Sequence, residues 1–139
     1  MATPIRPELS TKNKYWIDRH RYYELKHFCL QYSSWKKTYA ALNELGVTTT
    51  LMDRFPSSNV PADLTATYAI RKAYYAERIK TVESAAMEAD KDLYIYILKA
   101  VTEGMSYTYL KSKLDIPCSR DTYYDRYRRF FWLLNKMRD

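Results

Sequence analysis

One stretch near the C-terminus holds most of the side chains here that could do recognition chemistry: Ser119-Arg120-Asp121-Thr122-Tyr123-Tyr124, then Asp125, Arg126, Arg128 and Arg129. An arginine fork can grip a guanine edge or a phosphate through two parallel hydrogen bonds. Ser119 and Thr122 can donate to phosphates, and Tyr124 can stack or touch a sugar. A helix beginning here would add its N-terminal attraction for phosphate. Arg126, Arg128, Arg129 and the upstream Lys111 are the expected phosphate contacts; Arg120, Thr122 and Tyr124 are the expected readers of base edges or shape. Asp121 and Asp125 oppose this unless they orient the arginines, accept from cytosine amino groups or point away.

A second group lies near the N-terminus, where Lys12, Lys14, Arg19, Arg21 and Lys26 interleave with Tyr15, Trp16, Tyr22 and Tyr23. Cations alternating with rings can hold single strands by stacking and charge. The same rings can instead dock a helix onto the core while the cations stay in water. Catalytic patterns are missing. Gly46 and Gly104 cannot build a glycine-rich phosphate loop, and no Ser/His/Asp or paired-carboxylate spacing stands out, so a non-enzymatic protein without cofactor is expected. Cys29 and Cys118 are too few for a disulfide framework. With His20 and His27 they show no zinc-ligand spacing, so no metal site is expected. Cys118, just ahead of the expected helix start, lacks a base or a resolving thiol and reads as structural.

The elements that must position these residues read as helices throughout. Two glycines and five prolines interrupt 139 residues that include fifteen tyrosines, and no hairpin dipeptide or sustained alternation argues for strands. The expected fold is all-α: a helical N-terminal half, a long central helix and a C-terminal helix-turn-helix. Residues 1–10, with Pro4 and Pro7, read as a flexible basic arm. Residues 11–46 read as a helical hairpin, its first helix spanning about Thr11 to Leu30. Its second helix carries Trp35, Tyr39, Leu42 and Leu45 and stops at Gly46. Residues 47–62, rich in Thr, Ser, Asn and Pro, read as a linker. Residues 63–90 read as a long helix whose stripe of Tyr68, Tyr75, Ile79, Val82, Ala86 and Ala89 can pack within the chain or against a second copy in a homodimer.

Residues 91–139 give the clearest pattern. Leu93, Tyr96, Ile97, Ala100 and Val101 mark one helix ended by Gly104. Ser106 caps a short helix with Tyr107, Leu110 and Leu114 inside, and Asp115 to Cys118 turn the chain. Ser119 caps a last helix that buries Tyr123, Tyr127, Phe130, Phe131 and Leu134 and leaves Arg120, Tyr124 and Arg128 on another face. A short helix, a turn and a longer basic helix match the order of a helix-turn-helix, whose last helix enters the major groove at its N-terminal end.

Charge supports a polyanionic partner. The formal net charge is +7, and it is uneven: residues 1–38 carry eight basic and three acidic groups, residues 119–139 six and three, and residues 39–90 five and seven. A basic surface that only aids solubility would give a similar total. With no apolar run of membrane-spanning length and no signal-peptide core, a soluble protein of the bacterial cytoplasm is expected, with no membrane partner.

The stretch Ser119-Arg120-Asp121-Thr122-Tyr123-Tyr124-Asp125-Arg126 resembles the start of the recognition helix in phage transcriptional regulators of the RinA and ArpU type, whose C-terminal half is like region 4 of a sigma factor. Gln31-Tyr32-Ser33-Ser34-Trp35-Lys36-Lys37 is similar to that family's tyrosine and basic run, and Ala62-Asp63-Leu64-Thr65 sits where the family has Asp-Pro-Thr. The order holds from about Leu30 to the C-terminus. Leu64 departs from the family proline, and the turn at Asp115-Ile116-Pro117-Cys118 is longer than usual by about two residues. The resemblance implies a prophage-encoded regulator that binds double-stranded DNA at a late promoter, beside RNA polymerase. The alternative is a phage counter-defence (anti-CRISPR-like) inhibitor that binds a host protein or nucleoprotein complex through its basic helical surfaces.

Overall fold

In the computed structural model the backbone of residues 13–52 and 62–138 is described, with side chains for all of these except 46–52 and 62–63. The expected arm at 1–10, Lys12 and positions 53–61 of the expected linker lie outside the described residues. Among the described residues the chain is all helical: α1 (Arg19–Leu30), α2 (Tyr32–Met52), α3 (Ala62–Ala89), α4 (Tyr94–Glu103), α5 (Tyr107–Leu114) and α6 (Arg120–Met137). None of these helices is long and apolar enough to cross a membrane.

α1 begins later than the expected Thr11. Asn13 forms a turn instead: its Oδ1 accepts from the Tyr15 backbone N–H at 2.8 Å, and its carbonyl accepts from Trp16 N–H at 3.0 Å. Asx side chains favour such turns because they satisfy a backbone donor locally. Asp18 then caps α1 by accepting from His20 N–H at 3.0 Å. α2 runs through Gly46 to Met52, past the expected stop. A glycine inside a helix costs only about 1 kcal/mol relative to alanine and does not by itself end one.

The described residues fall into two compact units, one of residues 13–31 and 81–138, the other of those within 32–80. The boundaries differ from the expected segments, because α1 belongs with the C-terminal helices rather than with α2. Its buried Tyr22, Leu25, Phe28 and Cys29 face α4 and α6, against which α1 packs. The long helix α3 serves both units: Val82, Ala85, Ala86 and Ala89 near its end are buried in the first. In the second unit α2 buries Tyr32, Trp35 and Leu42, and Tyr68 of α3 donates its hydroxyl to the Leu42 carbonyl.

The first unit is built around aromatic residues of α6. Tyr123, Tyr127, Phe130, Phe131 and Leu134 are buried at the helical spacing that places them on one side. Phe131 meets Tyr22 edge-on at 5.0 Å, Tyr127 at 5.0 Å and Phe130 at 4.9 Å, the tilted geometries that ring quadrupoles favour. The buried hydroxyls of Tyr22 and Tyr127 are 2.9 Å apart and satisfy one another. α4 contributes Ile97, Ala100 and Val101 and ends at Gly104, whose φ of 71° is left-handed and suits a residue without Cβ.

Candidate nucleic-acid interface

The join between α5 and α6 fixes the candidate residues. Ser106 caps α5 by accepting from Tyr109 N–H, and Ser119 caps α6 by accepting from Thr122 N–H, both at 3.2 Å. Between them Asp115 takes a left-handed conformation at φ 51°, which Asp tolerates better than most residues. Ile116 is fully buried and its N–H returns to the Leu110 carbonyl at 3.2 Å. Two side chains of α5 hold the turn: the Tyr107 hydroxyl donates to the Cys118 carbonyl at 2.8 Å, and Lys111 Nζ to the Ile116 carbonyl at 3.4 Å.

Arg120 is held on an aromatic corner. Its guanidinium carbon lies 5.0 Å from the Tyr107 ring centre and 5.9 Å from that of Tyr124, and Nη1 donates to the Tyr124 hydroxyl at 3.0 Å. Tyr107 and Tyr124 are themselves edge to face at 6.4 Å. A guanidinium already placed by rings loses less conformational freedom on meeting a ligand than a free one would. Ser119, Arg120 and Thr122 are exposed, Tyr124 and Arg128 half-buried. Ser119 Oγ and Thr122 Oγ1 are 3.0 Å apart, so the two hydroxyls are paired at the helix start. Arg128 lies on α6 two turns beyond Arg120.

Arg126 and Arg129, expected as phosphate contacts, reach back to the end of α3. Arg126 Nε donates to Asp90 Oδ2 and Nη1 to Asp125 Oδ2, each at 3.1 Å. Asp90 also accepts from the backbone N–H of Asp92 at 2.9 Å and of Leu93 at 3.1 Å, so one carboxylate closes the turn between α3 and α4 and holds α6. Arg129 contacts the Glu88 carbonyl at 3.4 Å, one of the last in α3 and without an intrahelical partner by position. Its Nη1 donates to the Tyr15 hydroxyl at 3.2 Å. Asp125 thus shares Arg126 with Asp90, and Asp121 sits in the first turn of α6, where the helix dipole favours a negative charge.

The second expected surface is partly dispersed. Lys14 lies 4.9 Å from the Tyr15 ring centre, and Arg19 lies 5.8 Å from that of Tyr23. Arg21 is bound to Asn135 Oδ1 at 2.7 Å and to Glu24 Oε1 at 2.9 Å, and Lys26 is half-buried on α1. Sequence reasoning assigned no role to Trp132 and Lys136, which the structure places beside Tyr15: its ring and that of Trp132 are 5.5 Å apart, with Lys136 Nζ 3.5 Å from the Trp132 ring centre. The i, i+4 spacing of Trp132 and Lys136 was the available signal.

Burial pushes the thiols of Cys29 and Cys118 up, so both are protonated at neutral pH; for Cys118 the nearby Asp90 adds to the effect. That disfavours a nucleophilic role despite the position of Cys118 beside a helix N-terminus. No group of three or more His, Cys, Asp or Glu side chains that could hold a metal ion occurs among the described residues. Comparison with known proteins gives no match, whether to a family model, a curated sequence or a solved structure.

Proposed function

We propose that this chain binds duplex DNA through a helix-turn-helix formed by α5 and α6, with the first turns of α6 as the reading end. The observation that carries this is Arg120, exposed at the capped start of α6 and held by Tyr107 and Tyr124 on a turn locked by α5. Thr122 and Tyr124 join Arg120 in contacting base edges or shape, while Lys111, Ser119 and Arg128 contact phosphates. Arg126 and Arg129 serve this reading by fixing α6 against the end of α3. The sequence resemblance to RinA and ArpU type regulators extends the proposal to a phage or prophage transcription regulator working beside RNA polymerase.

The test is an anisotropy titration of the full chain with duplex and single-stranded DNA over a salt series. Duplex binding that weakens linearly on a log-log salt plot, with a slope matching several phosphate contacts, supports the reading. Absence of binding at low salt overturns it.

A second reading, an inhibitor that docks on a host protein or nucleoprotein complex, is favoured by one observation. Ile70 and Tyr74, one turn apart on α3, are exposed apolar residues in the unit of residues 32–80. Exposed apolar residues grouped on one helix suit a protein partner better than a phosphate backbone. Co-purification of a host protein at salt concentrations that strip DNA would support that reading, and loss of the partner at such salt would count against it.

A further inference from the structure

Far along α6 from Arg120, a second set of cations converges on two packed rings. Tyr15 is 6% exposed and packs against Trp132, and desolvation of its hydroxyl works to raise its pKa. The hydrogen bond from Arg129 outweighs that desolvation and, helped by Lys14, holds the phenol below its ordinary value. Because Arg129 donates to the Tyr15 oxygen, the hydroxyl proton remains to be given to an acceptor. Lys136 lies across the other member of the ring pair, 3.5 Å from the Trp132 centre.

Among the described residues, Lys14, Arg129 and Lys136 form no ion pair with a carboxylate. Arg129 spends its other contacts on the neutral Glu88 carbonyl. Three like charges gathered around one ring pair repel each other unless an anion joins them. The ligand that fits has several acceptor oxygens and no donors, so that it can take the Tyr15 proton and meet the cations around the ring pair. A phosphate group has this chemistry. Lys14 lies by Tyr15 and Lys136 by Trp132, so the cations are spread over two rings, which suits repeated phosphodiester charges better than one isolated ion.

We infer that Lys14, Tyr15, Arg129 and Lys136, arranged around Trp132, form a phosphate-binding station for the sugar-phosphate backbone of nucleic acid, separate from the reading end of α6. The inference rests on the reading of the chain as a nucleic-acid binder, but not on the first turn of α6. The station anchors the backbone without reading bases, since both its rings are occupied by packing and by Lys136. It also gives Arg129 a double part: the guanidinium that ends α3 is the one that orients Tyr15.

The test uses the full chain and the variants K14A/K136A, Y15F and R120A, with a short fluorescent duplex over a salt series. The Trp132 indole N–H signal is followed by NMR as duplex or, separately, inorganic phosphate is added at constant ionic strength. Lys14 and Lys136 are exposed, so their removal leaves the packing intact, and thermal melts check this. The expected result is an affinity loss of about tenfold at low salt for K14A/K136A, with a salt slope shallower by about two. A smaller loss is expected for Y15F, and the duplex shifts the Trp132 signal. Wild-type affinity and slope in K14A/K136A, with weakened binding in R120A, overturn the station and leave the reading end standing. The reverse pattern keeps the station and removes the reading end. A Trp132 signal that saturates with inorganic phosphate but ignores duplex overturns the backbone assignment in favour of a free phosphate. No duplex binding and no shift with either ligand overturns both proposals.

Discussion

The start and the middle of α6 hold the same residue type in different surroundings. At the start of the helix Arg120 is exposed, and its contacts are two tyrosine rings and a hydroxyl. Further along, Arg126 and Arg129 reach the end of α3, one bonded to Asp90 and the other to the Glu88 carbonyl and the Tyr15 hydroxyl. The difference follows from helical position. Residues 126 and 129 fall on the flank facing the end of α3, where a carboxylate and unpaired carbonyls call for donors. Residues 120, 124 and 128 fall on the other flank. Counting arginines therefore does not say which are engaged; their partners in the fold do.

That contrast can be broken most severely through the side of α6 that both ends share. Phe131→Ala leaves a cavity among Tyr22, Tyr127 and Phe130 and is expected to cost about 3–5 kcal/mol in denaturant unfolding. A loss below about 1 kcal/mol would mean that the aromatic core is not the common support of the helix.

Alkaline pH tests the same core through its hydroxyls. Burial raises Tyr123 and Tyr127 above the ordinary tyrosine value of 10.0. Each is neutral in the folded chain at a pH where the unfolded chain ionises. Their contribution is complete below pH 10 and declines as pH rises above it, by up to about 1.4 kcal/mol per pH unit for each group. Tyr15, which is lowered, acts in the opposite sense but as one group against two. Chemical denaturation across this range should show stability falling, with a shallower fall in Tyr127→Phe. An unchanged slope in that variant would contradict the assignment.

The fold-holding end should respond to Asp90 more than to Arg126. Asp90→Ala removes the acceptor for two backbone N–H groups as well as the ion pair, and is expected to cost about 1–2 kcal/mol. Arg126→Ala removes partly solvent-screened pairs and should cost about 0.5–1 kcal/mol. Equal costs would mean that the two hydrogen bonds in the turn contribute nothing. At the start of α6, Arg120→Ala should change stability by less than about 0.5 kcal/mol, since its side chain is exposed.

Much of the C-terminal architecture is legible in the sequence, because there the local signals agree. Ser106, Gly104 and Ser119 stand where helices start or stop, and Tyr123, Tyr127, Phe130, Phe131 and Leu134 repeat at helical spacing. The N-terminal third is less legible, since its helix start depends on Asn13 and Asp18 competing with a run that also fits a helix. The partners of α1 are not legible at all. Its stripe of Tyr22, Leu25 and Phe28 announces a buried face but does not say that α4 and α6, distant in sequence, cover it. The candidate site divides in the same way. Arg120, Thr122 and Tyr124 could be chosen from spacing, whereas the engagement of Arg126 and Arg129 depends on where α3 ends in space.

The most direct test of the claim that the first turns of α6 read duplex DNA compares wild type and Arg120→Ala on a duplex selected from a random pool and on an unselected duplex, over a salt series. Loss of a bidentate base contact should weaken selected-site binding by about 1–3 kcal/mol, with a smaller effect on the unselected duplex and an almost unchanged salt slope. Equal affinities of wild type and variant for the selected duplex at every salt concentration would contradict the account.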